Sequence, residues 1–506
     1  MVKRVFVAPD PGKLRLRAAT RAVLGIGLAV VACGLAGHSL VAAITGGLSA
    51  LLALFTVTDP TVRGQAVTTA LLPVAGLPVF ALAACLHGYP VARDLAFLAI
   101  VGAGVYARRW GPRGHALGVF AFMAFFVAQF LHMVVSQLPQ LYEAVLLSLA
   151  VAATVRFGLW CYERHRPGLP AVTAPDPGRG LYRATTRQAV QAVVGAGFAL
   201  AAGQALSPDR WYWAVGATWW IFVNTTSRGE TLVRGFRRVL GTVIGVGIGL
   251  AVAVPLHGAP VPTALLIALC VFGIFYAAAV SYTWMMLAVT VMASLLYGLL
   301  GVLNTDLLAL RFFETGVGMA GSVLAVLFVL PITTHATTDA WVRHALHSVR
   351  ASAAEAAARL AGQDADPLPH IAELEHTLAR VRLSLAPLVH PLNPVRARKA
   401  RARQVLGHLD DCAREARSLA ATAADAEASH DQRLTAACER VEAAVAVLVS
   451  APSAPGAHPR PATPDHADAP AAAEHPALAH LHALERALVA LGSPLQAAPR
   501  SPLADA

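Results

Sequence analysis

Apolar runs of near-membrane length recur along the first two thirds of the chain. They lie near residues 22–37, 40–58, 66–86, 90–107, 114–135, 140–160, 187–206, 211–226, 239–256, 262–280, 283–302 and 312–331, each closed by a short polar stretch. A bilayer's hydrocarbon layer takes about 20 helical residues to cross, so the pattern predicts about 12 transmembrane helices. Three runs are weaker. The run at 40–58 is slightly polar, that at 90–107 contains Arg93 and Asp94, and that at 211–226 is short.

After Pro331 the period changes. Leu374, Leu378, Val381, Leu385 and Leu388 step by three and four, as do Leu434, Cys438, Val441, Val445 and Leu448. Leu406, Leu409, Ala413, Ala416 and Leu419 form a third stripe. Such seams on otherwise charged helices predict a cytoplasmic helical bundle over 335–450, with surfaces that also suit a homo-oligomeric contact. Pro391 and Pro394 are expected to break its helices. Residues 451–506 form an Ala/Pro/His-rich tail, expected to be disordered over 451–474. A short helix then carries Leu478, Leu481, Leu484 and Leu488 on one side.

Composition agrees with the pattern. Only 14% of the 506 residues are charged, against about a quarter in soluble proteins. The net charge of +11 could suggest nucleic acid, but the arginines alternate with the apolar runs. With the N-terminus inside, the inner loops hold Arg63, the Arg108–Arg113 group, the Arg164–Arg187 group and the Arg228–Arg238 group. The outer loops hold Arg93, Arg210 and Arg311. This is the positive-inside bias, and it predicts a multi-pass protein of the cell (plasma or inner) membrane with both termini cytoplasmic. The basic N-terminus lacks a clear small-residue cleavage site after the first run, so that run is taken as a retained span.

The chain also reads as duplicated. Arg17-Ala-Ala-Thr-Arg21 resembles Arg183-Ala-Thr-Thr-Arg187, and Arg63-Gly64 with Gly76 matches Arg228-Gly229 with Gly241. Glu143 opens the sixth run much as Glu314 opens the twelfth. The fold class expected is therefore an all-α polytopic membrane protein of two parallel repeats of about six helices. The repeats cover 1–163 and 183–334, with a Pro/Gly-rich cytoplasmic linker at 164–182 between them. In transporters built this way a substrate site often lies where the halves meet.

Several chemistries are absent. The only lysines are Lys3, Lys13 and Lys399, so no G-x-x-x-x-G-K-[ST] phosphate loop exists. Neither H-E-x-x-H, G-x-S-x-G nor a CxxC pair occurs. The six cysteines are expected to be reduced and to pack as small apolar groups. Thirteen histidines follow residue 334, without metal-ligand spacing. No enzyme activity, cofactor or metal is expected.

What remains is polar chemistry at membrane depth, where ionisable groups are costly and point to function. Glu314, with Arg311 one turn before it, and Glu143 could couple transport to protons; the commoner reading of both is a hydrated carboxylate at the interface. His132 and Gln129 are weaker candidates. The densest stretch runs from Arg210 to Thr242. Trp211, Tyr212 and Trp213 suit an interfacial aromatic belt. Trp219, Trp220 and Phe222 could face lipid or form an aromatic wall for a ligand, and Asn224 ends the span. Arg228, Arg234, Arg237 and Arg238 then form a cytoplasmic turn and the entry to the next helix. Arg234 and Arg238 share a face with Gly241, Gly245 and Gly249, glycines that allow close helix packing. Arginines held this way could bind carboxylates in bidentate fashion, although headgroup anchoring to membrane lipids accounts for part of the cluster.

At these residues the chain resembles the fusaric acid resistance protein-like family. The resemblance is carried by Trp213-Ala214, the apolar span and polar turn that follow, Arg238-Val-Leu-Gly241-Thr242 with Gly245, and Arg311-Phe-Phe-Glu314-Thr-Gly316. It covers roughly residues 183–331. In the first half Arg63-Gly64 stands without the later arginines, and Pro73 and Pro78 interrupt the glycine helix. The resemblance implies a transporter that exports small aromatic carboxylates, driven by protons, in some relatives with a separate adaptor protein. A passive organic-anion channel and a scaffold whose cytoplasmic bundle recruits a partner stand as alternatives.

Overall fold

The computed structural model describes residues 13–163, 180–223, 225, 228–330, 334–389, 396–425, 432–450 and 476–496. The described residues are almost entirely helical, without strands, and fall into two compact units that divide near residue 332. The linker apart from residues 180–182, and the segment 451–474 expected to be disordered, lie outside the described residues.

Among the described residues the first unit holds twelve α-helices. They are α1 (Leu14–Leu35), α2 (Leu40–Thr56), α3 (Val62–Cys85), α4 (Pro90–Tyr106), α5 (Gly111–Phe130) and α6 (Leu138–Glu163). Then come α7 (Ala184–Leu206), α8 (Tyr212–Phe222), α9 (Arg228–Leu256), α10 (Pro260–Ala278), α11 (Tyr282–Leu299) and α12 (Thr305–Phe328). Among the described residues nine segments are long and apolar enough to cross a membrane; one of them, Pro90–Phe130, takes in both α4 and α5. The protein is thus an all-α, multi-pass membrane protein.

Helix α3 is continuous through Pro73 and Pro78. The prolines do not interrupt it, because neighbouring helices and local adjustment can satisfy the freed backbone groups. The packing partnerships of the first six helices recur in the second six. Helix α1 packs on α2 and α6, as α7 packs on α8 and α12; α3 packs on α5, as α9 packs on α11. Between the groups, α4 packs on α7 and α10 packs on α1, a reciprocal exchange.

Helices α2 and α8 are shorter than the usual span of about 20 residues. Helix α2 has 17 residues and α8 has 11, about 26 Å and 17 Å at 1.5 Å per residue. The last carbonyls of a helix lack partners and carry the negative end of its dipole. Arginines from neighbouring elements satisfy both. Arg156 of α6, buried, donates to the carbonyls of Ala53, Leu54 and Val57 at 2.8, 3.2 and 2.7 Å. Arg108 donates to the carbonyls of Phe222 and Thr225 at 3.2 and 3.1 Å, and Gln188 donates to that of Thr225 at 2.6 Å. Arg108 therefore does more than mark a loop.

The second unit contains α13 (Thr334–Leu360), α14 (Leu368–Val389), α15 (Arg396–Asp425), α16 (Gln432–Ser450) and α17 (Pro476–Gln496). Its core takes most of each apolar stripe. The last helix is longer than the short one expected. Leu478, Leu481, Leu484, Leu488 and Leu491 are all buried, so α17 packs against α15 and α16 as a full core element.

Burial at the centre of this unit pushes the Cys412 thiol up to about 12, with Asp411 and Glu415 adding to the shift. Alkylation needs the thiolate. At pH 8 the native Cys412 peptide should therefore alkylate more than about a thousandfold slower than an ordinary cysteine of pKa near 8.5. Leu481→Ala, at about 2–5 kcal/mol, should raise that rate, read by mass-spectrometric mapping of the Cys412 peptide in the full chain.

Candidate functional site

Helix α9 starts at Arg228, ahead of the apolar run at 239–256, so all four arginines expected in the turn and helix entry lie on the helix. Arg228 is exposed, Arg234 and Arg237 are half-buried, and Arg238 is buried. Arg238 stands ten residues past the start of α9, about 15 Å along the axis.

Two tyrosines of α11 organise the surroundings. The Arg238 Nη1 donates to Tyr282 Oη at 3.3 Å and touches Met286 Sδ at 3.0 Å. The Arg234 guanidinium stands 4.0 Å above the Tyr282 ring centroid. Farther along, Tyr297 lies within electrostatic reach of Arg311, Arg210 and Glu314. The Arg311 guanidinium lies 3.7 Å from the Trp213 ring centroid. Arg311 is in turn within electrostatic reach of Arg238 and Glu314. Arg238 of α9 and the Arg311–Glu314 pair of α12, separate in sequence, thus form a buried group in which Arg311 lies within reach of each of the other two.

The glycines make this grouping possible. A side chain added at Gly241 would stand 2.6 Å from the Thr283 carbonyl oxygen, at Gly245 2.7 Å from Thr290 Cβ, and at Gly249 2.5 Å from Ser294 Oγ. All three contacts are with α11, so the seam brings Arg238 against Tyr282.

Glu314 and Glu143 do not behave alike. Glu143 is exposed near the start of α6, whereas Glu314 is 1% exposed. Exposure agrees with the hydrated reading for Glu143, and burial disagrees with it for Glu314. Nor do Arg311 and Glu314 form an ion pair, although one turn separates them. Arg311 Nη1 and both Glu314 carboxyl oxygens have no hydrogen-bond partner among the described residues. Burying a polar group without a partner costs roughly 1–3 kcal/mol, and more when it is charged. Such unused capacity is concentrated where a protein binds or reacts.

Trp219 and Phe222, read as facing lipid or as a ligand wall, face neither lipid nor an opening. Trp219 and Phe222 are fully buried, and Trp219 stacks on Phe122 of the first six helices with ring centroids 3.9 Å apart. They are core. Trp220 is half-buried and packs against the same core. The aromatics that meet the charged group are Trp213, Tyr282 and Tyr297, with Phe126 and Phe130 packed edge-on against Trp213. Asn224 lies outside the described residues. Gln129 is buried, and His132 sits in the turn after α5 with φ 49° rather than in the span.

The first six helices lack an equivalent group. At the offset that aligns Gly76 with Gly241, Pro73 occupies the place of Arg238. A side chain on Gly76 would run into the Phe120 ring at 2.3 Å, so aromatic carbon fills that position.

A family model described as fusaric acid resistance protein-like matches residues 198–327. The match contains Trp213, Arg238, Tyr282, Tyr297, Arg311 and Glu314, and thus the whole buried group. No curated protein matches the chain.

Proposed function

We propose that the protein is a secondary transporter that exports small aromatic carboxylates across the cell membrane, with Glu314 as its proton-exchanging group. The observation that carries this reading is the buried Glu314 carboxyl with no hydrogen-bond donor, within electrostatic reach of Arg311 and Arg210, beside the aromatic rings of Trp213 and Tyr297. Guanidinium groups with spare donors suit a carboxylate, and aromatic faces suit a ring. The lone carboxyl is a proton acceptor inside the same electrostatic field. Arg228, Arg234 and Arg237, nearer the start of α9, would draw anions toward that end of the bundle. The match to the fusaric acid resistance-like family supports a transporter.

The test is efflux of radiolabelled 4-hydroxybenzoate from loaded vesicles under an imposed pH gradient. A proton-linked exporter accelerates efflux with the gradient and stops when an ionophore collapses it. Glu314→Gln should remove the gradient dependence. Currents that follow voltage and ignore the gradient would replace this mechanism with a passive anion channel.

A further inference from the structure

A groove of about 450 Å³ lies on the first unit where α4 meets α7. Gly102 and Tyr106 of α4 and Thr186, Val190, Val193 and Val194 of α7 line it, and its surface is almost wholly apolar. Gly102 lets the helices approach, since a side chain there would stand 2.7 Å from Val193. The groove lies apart from the buried charged group and serves none of its contacts.

One end of the groove is cationic. The Arg109 guanidinium lies 4.9 Å from the Tyr106 ring centroid and 5.3 Å from that of Trp110, and it donates to Tyr106 Oη. Arg109 is exposed, and Trp110 is 63% exposed. An exposed tryptophan beside an arginine at the end of a spanning helix marks the headgroup level of a bilayer. Thr186 enters the lining from the first turn of α7, next to Arg187 and one turn after Arg183. An apolar channel that ends among arginines at headgroup level matches one kind of molecule: an apolar chain joined to an anion.

We propose that the groove holds an acyl chain of an anionic phospholipid, with its phosphate at Arg109. Ordinary contact with surrounding lipid would also fill an apolar groove, but without choosing among headgroups. Selection for the anionic headgroup is therefore the content of the proposal. The lipid would lie beside Gln188, the residue that with Arg108 holds the end of α8.

Native mass spectrometry of the full chain can test this, with phosphatidylglycerol and phosphatidylcholine supplied in equal amounts. The wild type should retain phosphatidylglycerol at least about fivefold over phosphatidylcholine, in line with roughly 1 kcal/mol per basic residue near an anionic headgroup. Val194→Trp changes a half-exposed rim residue and fills the groove without touching the core, so retention should be lost. Arg109→Ala should keep a lipid but lose the preference. Val74→Trp, at a position 67% exposed on α3, should behave as wild type. Equal retention of both lipids by the wild type, or undiminished phosphatidylglycerol on Val194→Trp, overturns the proposal. Displacement of the lipid by 4-hydroxybenzoate would also overturn it, assigning the groove to a small acid. None of these outcomes depends on transport, so the site and the transport mechanism can fail separately.

Discussion

Arg311→Ala is expected to lower 4-hydroxybenzoate efflux by at least about a hundredfold. The substitution takes away the guanidinium on the Trp213 face and the cation nearest in sequence to Glu314. Leaving a buried charged group uncompensated costs more than about 1–3 kcal/mol, and about 2.7 kcal/mol is already a factor of a hundred. Part of that loss could be misfolding, because Glu314 would then be buried with less compensation. The double variant Arg311→Met/Glu314→Gln separates the effects. Replacing both charges by groups of similar volume often leaves stability unchanged or improved. The double variant should therefore recover the wild-type melting temperature while efflux stays lost. Recovery of efflux with stability would make the pair structural and remove it from the mechanism. Arg311→Lys adds a finer test: it keeps the charge but gives up the planar stack on Trp213, and an intermediate rate is expected.

The two groups of spans and the bundle that follows were legible because their signals are periodic. Long apolar runs and three-four stripes depend on many residues at once, so a few exceptions cannot erase them. The glycine seam was legible for the same reason: Gly241, Gly245 and Gly249 recur every four residues. The candidate site was legible only in part. Arg238 and Glu314 announce themselves as charges in apolar surroundings. Tyr282 and Tyr297 do not, because a tyrosine near a span end is ordinary, and only packing shows that both rings turn toward arginines. Trp219 misled for the opposite reason. Aromatic residues look alike in sequence whether they face a ligand or a neighbouring helix, and the Phe122 ring that covers Trp219 lies almost a hundred residues away. The span boundaries failed where an arginine was read as the edge of a span. Arg238 sits within a helix, where a tyrosine hydroxyl receives it.

The glycine seam carries the second large effect. Gly241→Leu should yield little or no folded protein, whereas Gly247→Leu on the same helix should fold normally. A side chain at Gly247 meets nothing within 4 Å; at Gly241 its first carbon would stand 2.6 Å from the Thr283 carbonyl oxygen and 2.9 Å from Met286 Cβ. The carbonyl belongs to the α11 backbone and cannot rotate away, so α9 and α11 must separate. Overpacking of this kind costs about 1–3 kcal/mol for small insertions and more for large ones. Gly241→Ala supplies the graded case. It should fold with a lowered melting temperature in detergent. It should also slow efflux, because Arg238 sits one turn before Gly241 and the same separation pulls it from Tyr282 and Met286. A Gly241→Ala protein with normal transport would show that the Arg238–Tyr282 contact tolerates that displacement. The electrostatic group would then be less closely tied to the helix seam than the geometry implies. If both properties fall together, close packing of α9 on α11 is what places a buried guanidinium where an anion can meet it.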